Sequence, residues 1–335
     1  MKRLGTILGA AAIAAAALPA AAQQAPQQIT IIVGFGAGGA YHGVSVILSR
    51  HMGKYLPGKP NVIVQTKPGA GSLVAANYIA NVAPKDGSVL GTIGGGTILE
   101  PLFGNQKAKF DPREINWLGS LSSGHNACFA WHETGVKTLE DAKRKTVAVG
   151  STGRGSRTYT YPTALNNLLG TKFKVITGYR GMKDVVQAMQ AGEVGGVCGY
   201  GWESIQARYQ DWLKEDKLNF LTQFAYKKAK GLPEVPLVLD VVKPGKERQA
   251  LKLLVIDAYV AWPLVAPPGL PKAQVETLRE AYLKALADPQ LAKEAARIGL
   301  EVDPISGKEV QAAVEEAYAT PPEVVQFLRG ITGLN

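Results

Sequence analysis

Two cysteines, Cys128 and Cys198, and four histidines are the whole supply of thiol and imidazole side chains in 335 residues. That is too little cysteine for a disulfide-built scaffold, and a chain of this length has core enough without one. His42, His51, His125 and His132 do not stand at metal-ligand spacing. His125, Cys128 and His132 come close along the chain, but a strand there would turn His125 away from the other two, so no metal is expected. There is no G-x-S-x-G elbow and no H-E-x-x-H segment, hence no nucleophile with its base and no expectation of an enzyme. Charged residues are only 19% against 46% hydrophobic, which excludes a disordered, solvating chain. Beyond the first residues no apolar run is long enough to span a bilayer, which excludes a polytopic membrane protein.

What charge there is runs positive, a formal +10, but the lysines and arginines are scattered. The densest group, Lys227 and Lys228 with Lys230, lacks the interleaved aromatics of a nucleic-acid surface, so no nucleic-acid partner is expected. Small anions suit such a surface better. The two cysteines could pair in an oxidising compartment if their Cα atoms come within about 7 Å; two buried small hydrophobes is the plainer alternative.

The N-terminus reads as an export signal over residues 1–22. Lys2 and Arg3 precede the apolar stretch Leu4 to Leu18, and Ala20-Ala21-Ala22 offers a cleavage site before Gln23. The Lys-Arg pair is not a twin-arginine signal, so the chain is expected to leave the cytoplasm unfolded, without a bound cofactor. A periplasmic or secreted protein follows.

From Ile29 the pattern is strand, glycine-rich turn, helix, repeated. Ile29 to Val33 is a β-branched run suited to a strand buried on both faces, and Val44, Ile47, Leu48, Met52 and Tyr55 recur at helical spacing. The same order through Asn61 to Val64 and Ser88 to Ile93 implies an α/β fold with mainly parallel sheets. A second such unit opens near Asn126. A helical tail then suggests that the chain returns to its first unit. The expected organisation is a first domain from 23–125 completed by 259–335, and a second domain from 126–258. Ser306 with Glu309 makes a capping box in the tail.

Gly34-Phe35-Gly36-Ala37-Gly38-Gly39 formally satisfies G-x-G-x-x-G, but Val64-Gln65-Thr66-Lys67 lacks the acidic residue that would hold a ribose. Gly150-Ser151-Thr152-Gly153-Arg154-Gly155-Ser156 lacks the lysine of a nucleotide phosphate loop. Both remain able to cradle an anion with backbone amides at a helix start. Glycine-rich loops at 34–42, 67–72, 94–97, 150–156 and 178–181 all follow strands, at the sheet edge where such folds bind ligands. Two α/β domains would set these edges face to face across a cleft.

These residues resemble the periplasmic solute-binding proteins of tripartite tricarboxylate transporters, the Bug-type receptors. The likeness rests on Ile32 to Gly39, Lys67-Pro68-Gly69-Ala70-Gly71-Ser72, Ala83-Pro84-Lys85-Asp86-Gly87, Tyr179-Arg180-Gly181 with Ala188 to Val194, and Leu264 to Pro271, all in the family's order. It implies a two-domain, flytrap-like periplasmic-binding-protein fold (type II-like), closing on a small carboxylate, dicarboxylate, tricarboxylate or aromatic. The receptor would be monomeric, carry no cofactor and deliver its ligand to two integral-membrane subunits. Carried over motif by motif, the first-domain set is Ala37, Gly38, Gly39, Ala40, Tyr41 and His42 with Gly69, Ala70, Gly71 and Ser72, joined by Gly95. The second-domain set is Ser151, Thr152, Gly153, Arg154, Gly155 and Ser156 with Tyr179, Arg180 and Gly181, while Tyr200 lines the cleft or packs under it.

Three positions depart from the family pattern. His42 stands for its usual aspartate, Tyr41 for a small residue, and Gly195 for the aspartate of the Gly-Gln-Val-Asp segment. Losing an acid disfavours a ligand with a free ammonium and suits an acidic or aromatic carboxylate. Arg154 and Arg180 are the guanidinium forks expected to meet the distal carboxylate. Two other classes stay open on sequence alone: a receptor reporting to a membrane kinase, and an exported or nucleotide-binding α/β enzyme.

Overall fold

In a computed structural model, residues 26–154, 156–179 and 181–333 are described; the expected leader with its Ala22–Gln23 cleavage point, Gly155 and Arg180 lie outside them. The first lobe opens with β1 (Gln28–Val33), β2 (Asn61–Thr66), β3 (Val89–Thr92) and β4 (Asn116–Ser120). The second holds β5 (Asn126–Trp131), β6 (Val147–Ser151), β7 (Phe173–Thr177), β8 (Gly196–Gly201) and β9 (Leu218–Phe224). The chain then returns through β10 (Pro263–Ala266) and β11 (Ile305–Ser306). Strand order is β11-β4-β10-β3-β1-β2 in one sheet and β7-β6-β8-β5-β9 in the other. β1 is parallel to β2 and β3, and β6 to β7 and β8, as the β-branched runs and helical crossovers require.

Within the mainly parallel arrangement that the sequence implies, each sheet also contains a strand reversed where the chain changes lobe, and the two-residue β11 is reversed as well, antiparallel to β4. β5 is antiparallel to β8 and β9, and β10 to β3 and β4. The reason is topological. Both strands arrive directly from the other lobe, so they enter at the cleft and run away from it. The crossover-linked strands run toward it.

Burial follows the sequence pattern. Ile29, Ile31, Ile32 and Val33 on β1 are buried, and every residue of β3 is. The isoleucine, valine and leucine side chains among them each contribute roughly 1.5–3 kcal/mol on leaving water. The Ser306–Glu309 capping box forms, and Thr138 with Asp141 makes another at the helix Leu139–Arg144. Cys128 and Cys198 are buried as expected but are bridged, because β5 and β8 set them directly opposite each other. The tail helices Lys272–Leu286 and Gly307–Tyr318 pack on the first lobe, whereas the last helix, Pro322–Thr332, lies on the second. There Asn167 Nδ2 donates to the Ile331 carbonyl at 2.8 Å. No helix among the described residues is long and apolar enough to cross a membrane.

Candidate functional site

The chain crosses between the lobes at 121–125, 255–262 and 319–321, and the loop after β3 (Gly95) and the helix after β6 (Arg157) both meet Asp257 at the second crossing. On the first lobe, Ala37 to Ala40 form an exposed loop that leads into the helix Ala40–His51. Gly39 caps that helix with no side-chain bond, and no acidic residue occupies its first turn. Its opening amides therefore meet the cleft with their partial positive charge uncompensated. His42 is half-buried in the same turn, with no hydrogen-bond partner for its ring among the described residues.

Gly69, Ala70, Gly71 and Ser72 all have positive φ, at 143°, 46°, 63° and 80°. For alanine and serine such a conformation costs about 1–2 kcal/mol each, so packing must impose it. The imposing contact is visible. Ser72 is buried, its Oγ accepts the Gly94 amide at 3.1 Å, and it fills the space where a side chain on Gly34 would stand. One serine thus joins all three first-lobe loops. Gly95 is buried beneath the backbone of Asp257 and Val260, with its amide against the Tyr41 phenol.

Tyr41 turns away from the expected role of a cleft-facing phenol. Its hydroxyl donates to the Ala261 carbonyl at 2.5 Å, and its ring stacks on Phe35 at 4.2 Å. Burial pushes its pKa up to about 12, so it stays a neutral donor. It ties the first loop to the hinge.

On the second lobe the loop after β6 uses its hydroxyls on itself. Ser156 Oγ donates to the Gly153 carbonyl at 2.7 Å, and Thr158 Oγ1 donates to Ser151 Oγ at 3.2 Å. The Thr152 amide donates to Thr158 Oγ1 at 3.0 Å and the Gly153 amide to Ser151 Oγ at 3.2 Å. Among its described residues these hydroxyls are committed to partners within the segment rather than left as free donors. Arg154 is exposed and lies over the Tyr159 ring at 5.6 Å. Tyr179 is half-buried against the apolar cluster under this sheet, and burial raises its phenol pKa. Gly181 caps the helix Met182–Gln190. Tyr200 is 7% exposed and packs under the cleft, its hydroxyl 3.4 Å from that of Tyr209.

Residues that sequence reasoning passed over occupy the centre. Arg157 opens the helix Arg157–Leu169 at the end of the loop after β6. Its Nε lies 3.5 Å from Asp257 Oδ2, and its Nη1 donates to Asn126 Oδ1 at 3.1 Å. Asp257 accepts from the buried Tyr161 hydroxyl at 3.0 Å, and the Tyr161 ring stacks on Phe224. Burial raises the Asp257 carboxyl above the usual range, opposed by the Arg157 charge and the Tyr161 bond. Alongside, His125 Nδ1 meets Glu203 Oε1 at 2.9 Å, in a cavity of about 190 Å³ that Ser122, Ser123, Trp202 and Asp303 also line. Arg157 was findable, since it directly follows the glycine-rich loop. Asp257 and Asn126 were not, because only folding brings them to it. Among the described residues, no group of three or more histidine, cysteine or carboxylate side chains could hold a metal.

Over residues 47–328 the chain matches the model of the tripartite tricarboxylate transporter family receptor. It is similar to a protein of Cupriavidus necator described as a UPF0065 protein in the gbd 5' region, 27% identical over 315 residues that cover 89% of this chain and 88% of the other. Among solved structures it is similar to a TctC solute-binding protein from Polaromonas, with a TM-score of 0.71 at 21% identity, covering 92% of this chain and 98% of that one. It also resembles MatC from Rhodopseudomonas palustris, solved with bound malate, with a TM-score of 0.61 at 21% identity over 89% of this chain and 98% of that one. The two structures establish the two-lobed fold.

Proposed function

Because the chain belongs to the tripartite tricarboxylate transporter receptor family, we propose that it captures a small carboxylate between its lobes and hands it to the two membrane subunits of such a transporter. A solute-binding receptor needs donors held in place and a hinge, not a nucleophile. The observation that carries the reading is the pairing of an unscreened helix start on one lobe, at Gly39–Ala40, with the guanidinium of Arg157, held by Asn126, at a helix start on the other. Amide dipoles and a guanidinium on opposite walls both favour an anion. The malate bound by MatC supports a carboxylate as that anion. The receptor acts in the periplasm as a monomer, reached through cleavage of residues 1–22.

The test is a thermal-shift screen of the mature protein against di- and tricarboxylates, aromatic carboxylates, amino acids and nucleotides. At about 100 times its dissociation constant a ligand adds about 2.7 kcal/mol, a readily seen rise in Tm. A rise with one carboxylate class is expected. Stabilisation by a nucleotide alone would overturn the receptor reading. N-terminal sequencing of the exported protein should begin at Gln23.

A further inference from the structure

The polar cavity of about 190 Å³ beside His125 is lined by none of the glycine-rich loops. Its walls are the crossing at Ser122 and Ser123, the second lobe at 202–206 and 227–231, and the first lobe at Glu301 and Asp303. Pockets for drug-sized molecules run to about 300–1,000 Å³, so this one suits a smaller guest. The walls are already fastened to one another. The Trp202 amide donates to the His125 carbonyl at 2.7 Å, and the His125 amide donates to Glu203 Oε1 at 3.2 Å. The Asp303 amide donates to the Leu121 carbonyl at 3.1 Å. Buried Gln223 shapes the lysine loop from inside: its Nε2 donates to the Leu232 and Val235 carbonyls and its Oε1 accepts the Ala229 amide, each at 2.8 Å.

Two donors in these walls have nothing to bind. Ser122 is 3% exposed and Trp202 7%, and neither the serine hydroxyl nor the indole Nε1 has a hydrogen-bond partner among the described residues. Neither is sealed. The described side-chain atoms that are both unpartnered and closed to water are Asn126 Nδ2, Asn219 Nδ2, Gln274 Oε1 and the Tyr282 hydroxyl. The Ser122 and Trp202 donors therefore open on the cavity they line. Gly231 keeps the indole edge clear, since a side chain there would lie 2.5 Å from Trp202 Cζ2 and 3.3 Å from Nε1. Lys227 adds an ammonium with no ion pair among the described residues, whereas Glu203 is engaged by His125 and Glu301 by Lys230. Asp303 is exposed, and its carboxylate has no hydrogen bond among the described residues. Neutral donors, an ammonium and a carboxylate that only accepts together describe an oxyanion that still carries one proton. A fully deprotonated oxyanion would set a bare oxygen against Asp303, and an amino acid would set its ammonium among Lys227, Lys228 and Lys230.

Independently of the carboxylate cleft, we propose that this cavity is a second site, for a hydrogen phosphate ion that accepts from Ser122 Oγ, Trp202 Nε1 and Lys227 and donates its own hydroxyl to Asp303. Calorimetric titration of the mature protein with inorganic phosphate and with sulfate, in a buffer holding neither, tests it. Wild type should bind phosphate about 10-fold tighter than sulfate, the worth of one hydrogen bond to a charged group. Glycine should not displace the phosphate. Ser122→Ala, and Trp202→Phe with its ring still beside Phe220, should each weaken phosphate about 10-fold. Asp303→Asn should erase the preference over sulfate. All three should leave the carboxylate response of the thermal-shift screen in place, because none of these residues stands on the glycine loops. Should Trp202→Phe fail to fold, Ser122→Ala decides alone. Phosphate bound as tightly by Ser122→Ala as by wild type overturns the assignment. Sulfate bound as tightly as phosphate, glycine displacing phosphate, or a wild type that binds no phosphate overturns it as well.

Discussion

Gly34 ends β1 with the Ser72 hydroxyl already occupying the place of a side chain, and that hydroxyl is committed to the Gly94 amide. A methyl group at Gly34 must push Ser72 aside and break the bond that joins the three first-lobe loops. Gly34→Ala should therefore lower stability by about 1–3 kcal/mol, as overpacking does, and weaken ligand binding too. Gly36→Ala is the control, because nothing lies within 4 Å of the added carbon. It should melt as wild type does. Equal melting temperatures for the two variants would mean that Ser72 does not hold these loops together. The glycine run at 34–39 was legible in the sequence as an anion loop, but which of its glycines is sterically required was not. That depends on a serine 38 residues away in sequence.

At the scale of elements, the helix Ala40–His51 that starts at the cleft is anchored at its far end. His51 Nδ1 lies 3.2 Å from Asp288 Oδ2 and its Nε2 lies 3.1 Å from Glu294 Oε1, while Lys54 also pairs with Asp288. The hydrogen bond from Lys54, then the Gln290 amide, holds the Asp288 carboxyl well below the usual carboxylate range. A carboxyl whose folded pKa is depressed stabilises the fold above its unfolded value of about 3.9, and loses that contribution as pH falls through the folded value. Asp288→Asn retains a good cap for the helix Pro289–Arg297 but loses the charge. Its unfolding temperature should lie below wild type at pH 7, with the gap shrinking only once pH falls below about 4 and closing toward the depressed folded value. Circular-dichroism melts at pH 7 and at about pH 2 check this, and a gap independent of pH would show that the cluster does not act through charge. In the sequence His51 was only one of four histidines outside metal-ligand spacing, since its two acids lie over 230 residues on.

For the whole molecule, one buried apolar cluster runs through both lobes, from Ile32 and Trp117 to Val149 and Tyr161, while contact on the opposite side, beside Glu301, is slight. Lys230 pairs with Glu301 at 3.0 Å, but both are exposed, and such pairs contribute little. The packing of Ala207 beside Gly299 is small. Nothing there locks the lobes, while Tyr41 and Arg157 both reach hinge residues, Ala261 and Asp257. A ligand held by both walls should draw them together. Small-angle scattering should show the radius of gyration fall on adding the bound carboxylate, and an unchanged radius would mean that capture occurs without closure.

The sequence by itself determined the layered α/β architecture, the two units and the loops at the strand ends. Those features rest on local periodicity, backbone freedom at glycine and motifs a few residues long. The family resemblance rests on the same local motifs. Only the tertiary structure decided the reversed strands β5 and β10, the Cys128–Cys198 bridge, the turning of Tyr41 toward Ala261, and the placing of Arg157 between Asn126 and Asp257. Each depends on partners far apart in the chain. Arg157 meets Asn126 and Asp257, 31 residues before it and 100 after it, at a hinge that exists only once both lobes have folded.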